Sequence, residues 1–62
     1  MKAEDFIGLS KTGAEDLSER NSMIYRLISV DGDPFFSYPE DKRIDRICVE
    51  IERGRVVRAS IQ

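Results

Sequence analysis

Histidine and tryptophan are missing from this 62-residue chain, cysteine occurs once and proline twice. Each scarcity removes a class of chemistry. Without histidine, one chain cannot assemble a Ser-His-Asp or Cys-His catalytic site. A zinc site of mixed His and Cys ligands is excluded for the same reason. The single cysteine, Cys48, leaves no internal disulfide. No apolar run approaches the ~20 residues that a membrane-spanning helix needs. No apolar signal segment stands behind Met1-Lys2-Ala3-Glu4-Asp5, so a cytoplasmic protein is expected. Basic excess is also lacking: 10 Lys and Arg face 12 Asp and Glu, for a net charge of -2. The expectation is therefore no nucleic-acid partner and no membrane partner.

What is present suits one small globular domain, residues 1–62, with 40% apolar residues. A chain of this size buries only about 60% of its unfolded surface, so a single small core must carry the fold.

Phe6-Ile7 is a short apolar anchor, and Gly8 lets the backbone turn. Ser10 is a helix N-cap, its hydroxyl positioned to accept from a backbone N–H two or three residues on. Leu9 before the cap and Ala14 after it stand where a hydrophobic staple closes. The spacing predicts a helix over 11–20, ended by Asn21-Ser22. Ala14 and Leu17 share its inner face, and Glu15, Asp16 and Glu19 its outer one. Gly13 costs this helix about 1 kcal/mol against alanine, so the helix depends on docking.

Residues 23–30 are apolar in both alternating sets apart from Arg26 and Ser29, which predicts a strand buried on most of both faces. Asp31-Gly32-Asp33-Pro34 is turn chemistry. Ile47, Val49 and Ile51 alternate with Arg46, Cys48, Glu50 and Glu52, a period-two strand over 44–52. Glu52-Arg53-Gly54-Arg55 is a tight turn with Gly54 at the positive-φ position. Residues 55–61 return, with Val57, Ala59 and Ile61 as the expected inner face.

The expected fold is α+β: one helix packed on a small mixed three-stranded sheet. A long exposed loop, 31–42, joins the first two strands, which run parallel, and its length of about a dozen residues is near the minimum for such a crossover. Ile47, Val49, Leu17, Ala14 and Leu27 are the expected core.

The loop holds Phe35, Phe36 and Tyr38, three of the chain's aromatics, with Pro39 and the charged run Glu40-Asp41-Lys42. Its aromatics either fold back onto the core or stay exposed as partner anchors. Asp31 with Asp33, and Glu40 with Asp41, read as solvated loop charge, neither an acid–base pair nor a cation site. Cys48 reads as a buried structural thiol; a reactive one would need exposure and a lowered pKa. No cofactor and no metal are expected, and the chain is not expected to be an enzyme.

Two stretches carry a family resemblance. Phe6-Ile7-Gly8-Leu9-Ser10, with Ala14 four residues on, and Arg43-Ile44-Asp45-Arg46-Ile47, followed by Val49-Glu50-Ile51, Gly54 and Val56-Val57, resemble the potato inhibitor I family of serine-protease inhibitors, including its short bacterial relatives. The resemblance implies a rigid loop that enters a protease cleft like a substrate and is cut slowly because both ends stay held. Affinity then comes from preorganisation. It also implies loop support from arginines of the following strand, here Arg46, with Arg43 at the loop's exit. A second such arginine aligns with Cys48, a departure from the pattern.

By the family's spacing Glu40 enters the specificity pocket, with Pro39 before it and Asp41 after the scissile bond. A shifted register puts Phe36 in the pocket with Ser37 after the bond. Tyr38 is disfavoured there by Pro39. The candidate partner-binding residues are thus Phe36, Ser37, Tyr38, Pro39, Glu40 and Asp41. Two other functions stay open. One is a non-inhibitory module that uses the same fold and the acidic, aromatic loop to bind a different protein. The other is a ligand- or wall-binding domain, because Gly8-x-Ser10-x3-Ala14 also resembles the helix start of PASTA repeats. The expected partner is another protein, which the resemblance implies is a serine protease, and the expected state a monomer or weak dimer, since edge strands can pair.

Overall fold

The computed structural model describes residues 1–34 and 43–62. A 3₁₀ turn, Ala3–Phe6, leads into helix α1 (Lys11–Arg20), and strands β1 (Ile24–Val30), β2 (Asp33–Pro34), β3 (Arg46–Glu52) and β4 (Arg55–Ile61) follow. The strands form one mixed sheet in the order β2-β1-β3-β4. β1 runs parallel to β3, while β2 and β4 are antiparallel to their neighbours.

Helix α1 has the expected bounds, and local chemistry fixes its start. Ser10 Oγ accepts from the Gly13 N–H at 3.1 Å. A Cβ at Gly13 would stand 3.2 Å from that oxygen, so the missing side chain leaves room for the cap. At the other end the Asn21 side-chain amide donates to the Leu17 carbonyl at 2.8 Å.

The core lies between α1 and the face of β3 that carries Ile47, Val49 and Ile51. Phe6, Ala14 and Val56 complete the buried cluster. Leu17 and Leu27, expected in the core, are only partly buried at its margin. The helix meets the sheet through its small residues instead: Ala14 is fully buried and Ser18 is 1% exposed. Four residues apart, these two share one helix face and let the backbone approach closely, which displaces Leu17 to the side. Ser18 keeps its hydroxyl satisfied by donating to the Glu15 carbonyl at 2.7 Å.

Four strands form where three were expected. Asp31 and Gly32 both take positive φ, +50° and +83°. That is the signature of a two-residue hairpin turn whose twist suits the flanking strands. The chain therefore doubles back, pairing Val30 with Asp33 and Ser29 with Pro34. Pro34 is tolerated because β2 is an edge strand. The long connection expected over 31–42 thus begins later, since its first four residues belong to this hairpin. Arg53 and Gly54 make a second turn of the same kind, with φ +52° and +77°. Asp31 ties the two turns together: its Oδ1 accepts from the Arg53 N–H at 2.8 Å, and its own N–H donates to the Ile51 carbonyl at 2.7 Å.

Val57 is exposed, against expectation, and Val56 is buried in its place. Ile51 pairs with Val56 but Glu50 pairs with Arg58, so Val57 is the extra residue of a β-bulge. Beyond the bulge the alternation resumes, with Ala59 opposite Val49 and Ile61 opposite Ile47. Ile28 is the matching extra residue in β1.

Beyond the β4 bulge edge, the N-terminal segment is stitched on. The Gly8 N–H donates to the Val56 carbonyl and the Val56 N–H donates to the Leu9 carbonyl, each at 2.8 Å. Phe6 is thereby held fully inside.

Candidate functional site

The mouth of β3 is where the parallel crossover delivers the chain back to the sheet. Residues 44 and 45 form a bend here and the strand starts at Arg46, two positions later than the alternation suggests. The cause is a local clip. Arg43 Nε donates to Asp45 Oδ1 at 2.7 Å and Nη2 donates to Oδ2 at 2.8 Å, a bidentate pair across one residue. The Asp45 carbonyl then accepts from the Ile24 N–H at 2.7 Å, which fastens the bend to the start of β1. Hydrogen bonding from Arg43 holds the Asp45 carboxyl below the ordinary carboxylate range, and the charges of Arg43 and Arg46 act in the same direction. Between the two clipped residues, Ile44 stands out into solvent, 93% exposed.

Arg46 takes the opposite course and is 4% exposed. Strand alternation puts it on the sheet face away from α1, together with Cys48 and Glu50. Its Nε donates to the main-chain oxygen of Gln62 at 3.1 Å, and Nη2 donates to the same oxygen. The Gln62 N–H returns a bond to the Arg46 carbonyl at 3.2 Å. The guanidinium therefore binds the end of β4 to the start of β3. The loop that Arg46 is expected to support lies outside the described residues.

Phe36, Ser37, Tyr38, Pro39, Glu40 and Asp41 all lie outside the described residues. Of the expected site residues, the described part of the structure holds Arg43 and Arg46, which lie within one short stretch. Cys48 is a free cysteine, 3% exposed, so the structural-thiol expectation holds.

One further charged residue shares this face. Arg26 of β1 pairs with Cys48 of β3, and Ile24 pairs with Arg46. Residues paired across neighbouring strands point to the same face. Arg26 therefore stands beside the position where the resemblance asks for a second guanidinium, and diagonal to Arg46. The signal was visible as a charged residue interrupting an apolar strand; only the register, which the sequence leaves open, gives it a neighbour.

Further along the same face the Ser29 hydroxyl donates to Glu50 Oε1 at 3.2 Å, and Arg58 lies 3.8 Å from Glu50 Oε2. A shallow groove of about 420 Å³ runs past this pair, lined also by Ile7, Ile28 and Cys48. Among the described residues no three His, Cys, Asp or Glu side chains come together to hold a metal ion. No helix among them is long and apolar enough to cross a membrane.

The arrangement is thus a set of clipped, pinned and buried groups around the point where a long connection rejoins the sheet. Comparison with protein-family models, with curated proteins and with solved structures returns no match for this chain.

Proposed function

We propose that the protein is a serine-protease inhibitor of the potato inhibitor I type, which presents the connection between β2 and β3 to a protease cleft in substrate-like fashion. Glu40 or Phe36 is the residue that fills the specificity pocket, Arg46 holds the frame beneath, and Arg43 stiffens the exit. The protein works by binding and not by catalysis, as a cytoplasmic monomer or weak dimer without cofactor. One observation carries the reading: β1 and β3 are parallel neighbours, and the connection rejoins the sheet beside a buried arginine. A connection whose exit is fixed this firmly loses little entropy on binding, which is what an inhibitor needs.

A second reading, the non-inhibitory module that binds a different protein through the same segment, is favoured by Cys48. A thiol there cannot do the hydrogen bonding of a guanidinium. Titration against trypsin-like, chymotrypsin-like, elastase-like and glutamate-specific serine proteases separates the two. An inhibitor blocks one member stoichiometrically and is recovered largely uncut. Glu40→Ala then weakens binding most for a glutamate-specific enzyme, and Phe36→Ala for a chymotrypsin-like one. If every protease stays active with the protein in excess, inhibition is ruled out. If Phe36→Ala, Tyr38→Ala and Glu40→Ala all bind a partner like the parent, within about 0.5 kcal/mol, this segment is not the interface under either reading.

A further inference from the structure

We infer that Asp31-Gly32 is a site of spontaneous covalent modification, isomerisation of the aspartate to isoaspartate, and that the Arg53 N–H guards it in the folded protein. The inference stands on the two tied hairpin turns and is independent of the inhibitor reading. The reaction joins a carboxyl to the main-chain nitrogen that follows it. The Gly32 nitrogen bonds to Asp31 Cγ, and the carboxyl hydroxyl leaves with the amide proton as water, which closes an imide ring. Water then adds to the ring. Attack at Cγ restores aspartate. Attack at the main-chain carbonyl carbon breaks its bond to the Gly32 nitrogen. The chain then runs through Cγ, and a carboxylate stands where the peptide carbonyl was. No oxidant and no cofactor enter the balance.

Three features of this turn favour the step. Asp31 is the only aspartate of the chain that precedes a glycine. Glycine hinders attack by its own nitrogen least, because it carries no side chain. Nothing lies within 4 Å of the place where a Cβ on Gly32 would stand, so no neighbouring group shields that side of the residue. Both residues are exposed, which admits the water that opens the ring.

One feature opposes it. Asp31 Oδ1 accepts from the Arg53 N–H at 2.8 Å, and the Asp31 N–H donates to the Ile51 carbonyl at 2.7 Å. A residue held at its carboxylate and at its main chain is not free to rotate Cγ onto the next nitrogen, so the ring closes only when the bond to Arg53 opens. Such openings are local and need no global unfolding. The guard fails once. Isoaspartate lengthens the main chain by a carbon inside a two-residue turn whose geometry pairs Val30 with Asp33. It also moves the carboxylate off the stem that reaches Arg53. The tie between the two turns does not re-form, and this end of the sheet stays loosened.

The test incubates the folded parent, the parent in urea, Gly54→Ala, Arg53→Gly and Ser10→Ala at neutral pH. Isoaspartate at Asp31 is followed by peptide mapping and by methyl transfer with an isoaspartyl methyltransferase, and thermal midpoints are recorded. An alanine at position 54 takes φ +77°, which strains the turn that presents the Arg53 N–H. Arg53→Gly relieves φ +52° and keeps the N–H. Ser10→Ala removes the helix cap, a comparable loss of stability far from the turn. In the folded parent, isoaspartate should accumulate at Asp31 ahead of every other aspartate, and about fivefold or more slowly than in urea, the factor that one hydrogen bond sets. Gly54→Ala should speed it, Arg53→Gly should slow it, and Ser10→Ala should stay within about twofold of the parent. Equal rates in the folded and urea-treated parent would show that the tie guards nothing. Equal acceleration in Gly54→Ala and Ser10→Ala would mean that only global unfolding exposes the site, and an Arg53→Gly rate at or above the parent's would mean the same for the guard. A folded parent without isoaspartate at Asp31, while the urea-treated chain converts, overturns the site itself.

Discussion

The two faces of the sheet bury comparable positions of the same strands with opposite chemistry. Toward α1, Ile47, Val49, Ile51 and Val56 meet Ala14 and Phe6 in one apolar cluster. Away from α1, the alternate residues of β3 are Arg46, Cys48 and Glu50, and the first two of these are as buried as the core. A charged side chain taken out of water is costly unless hydrogen-bonded, so the second face is a poor way to gain stability. It is a good way to fix geometry, because a guanidinium accepts only a few arrangements of its acceptors. The helix face holds the fold, and the Arg46 face holds the ends of the strands that frame the crossover.

That division is broken most directly at Ile47. It is fully buried at the centre of the helix face. Ile47→Ala should cost about 2–5 kcal/mol, the range for truncating a buried aliphatic residue to alanine. A domain of this size has a total stability of only a few kcal/mol to about 9. Urea denaturation should therefore find the variant marginal or unfolded. A loss below about 1 kcal/mol would mean that the helix face is not where the stability resides.

Arg46→Ala should act differently. It leaves the main-chain oxygen of Gln62 without its donor and should cost about 1–3 kcal/mol, less than Ile47→Ala. Amide exchange should localise the effect to the end of β4, and proteolysis in the crossover should accelerate more than global unfolding does. If exchange rises uniformly instead, Arg46 is an ordinary core residue and the contrast between the faces disappears.

Much of the helix face could be foreseen, because it is written in short-range patterns. Ser10, Ala14 and the Ile47-Val49-Ile51 alternation each act within a few residues, and each landed where periodicity puts it. The parallel pairing of β1 and β3 agrees with the expected fold, although the length of the connection alone only permitted it. What escaped depends on register. The bulge that exchanges Val56 for Val57 is invisible in a run of two valines. The strand after Asp31-Gly32 was hidden by Pro34, which argues against a strand unless that strand is known to be an edge. The place of Arg26 beside Cys48 appears only with the register of β1 against β3. For the candidate site, the placing of Arg43 and Arg46 together at the strand mouth was legible, while the Gln62 partner of Arg46 was not, since it lies sixteen residues away.

A smaller perturbation tests the end of the sheet opposite the site. Asp31→Ala removes the bond that ties the two hairpin turns and leaves Arg53 in a left-handed conformation without its anchor. The expected loss is about 1 kcal/mol, with faster exchange of the Arg53 amide. Asp31→Asn should recover most of it, because the side-chain carbonyl can still accept.

The Arg43–Asp45 clip gives a pH signature and not a stability change, since it lies in solvent. Its folded-state pKa is depressed. Whatever the clip contributes is therefore present above the ordinary carboxylate value of about 3.9 and is lost as pH falls through the lower folded value. Carboxyl chemical shifts should show Asp45 titrating below the ordinary carboxylate value of about 3.9, and Arg43→Gln should move it upward. An Asp45 that titrates at the ordinary carboxylate value would mean that the clip does not persist in solution.

The smallest effect is expected at the one blemish of the helix face. The Tyr25 hydroxyl is buried there with no hydrogen-bond partner among the described residues. Its neighbours across the cleft between α1 and β1 are Glu15, Ser18, Glu19 and Met23. Burial raises the phenol's pKa, and the negative charge of Glu15 adds to the shift. An unsatisfied buried hydroxyl has lost its water without gaining a partner. Tyr25→Phe should therefore be neutral or slightly stabilising at pH 7, within about 0.5 kcal/mol. The pH dependence gives the sharper reading. A raised folded pKa means that the contribution is complete below the unfolded value of about 10 and is lost as pH rises through the folded one. The parent should thus lose stability relative to Tyr25→Phe above about pH 10, and the two should track each other below it. Thermal midpoints of both proteins across that range decide the matter. A loss of more than about 1 kcal/mol at pH 7 would mean that the hydroxyl has a partner after all, and that the helix face, like the other, contains a polar contact that positions its strands.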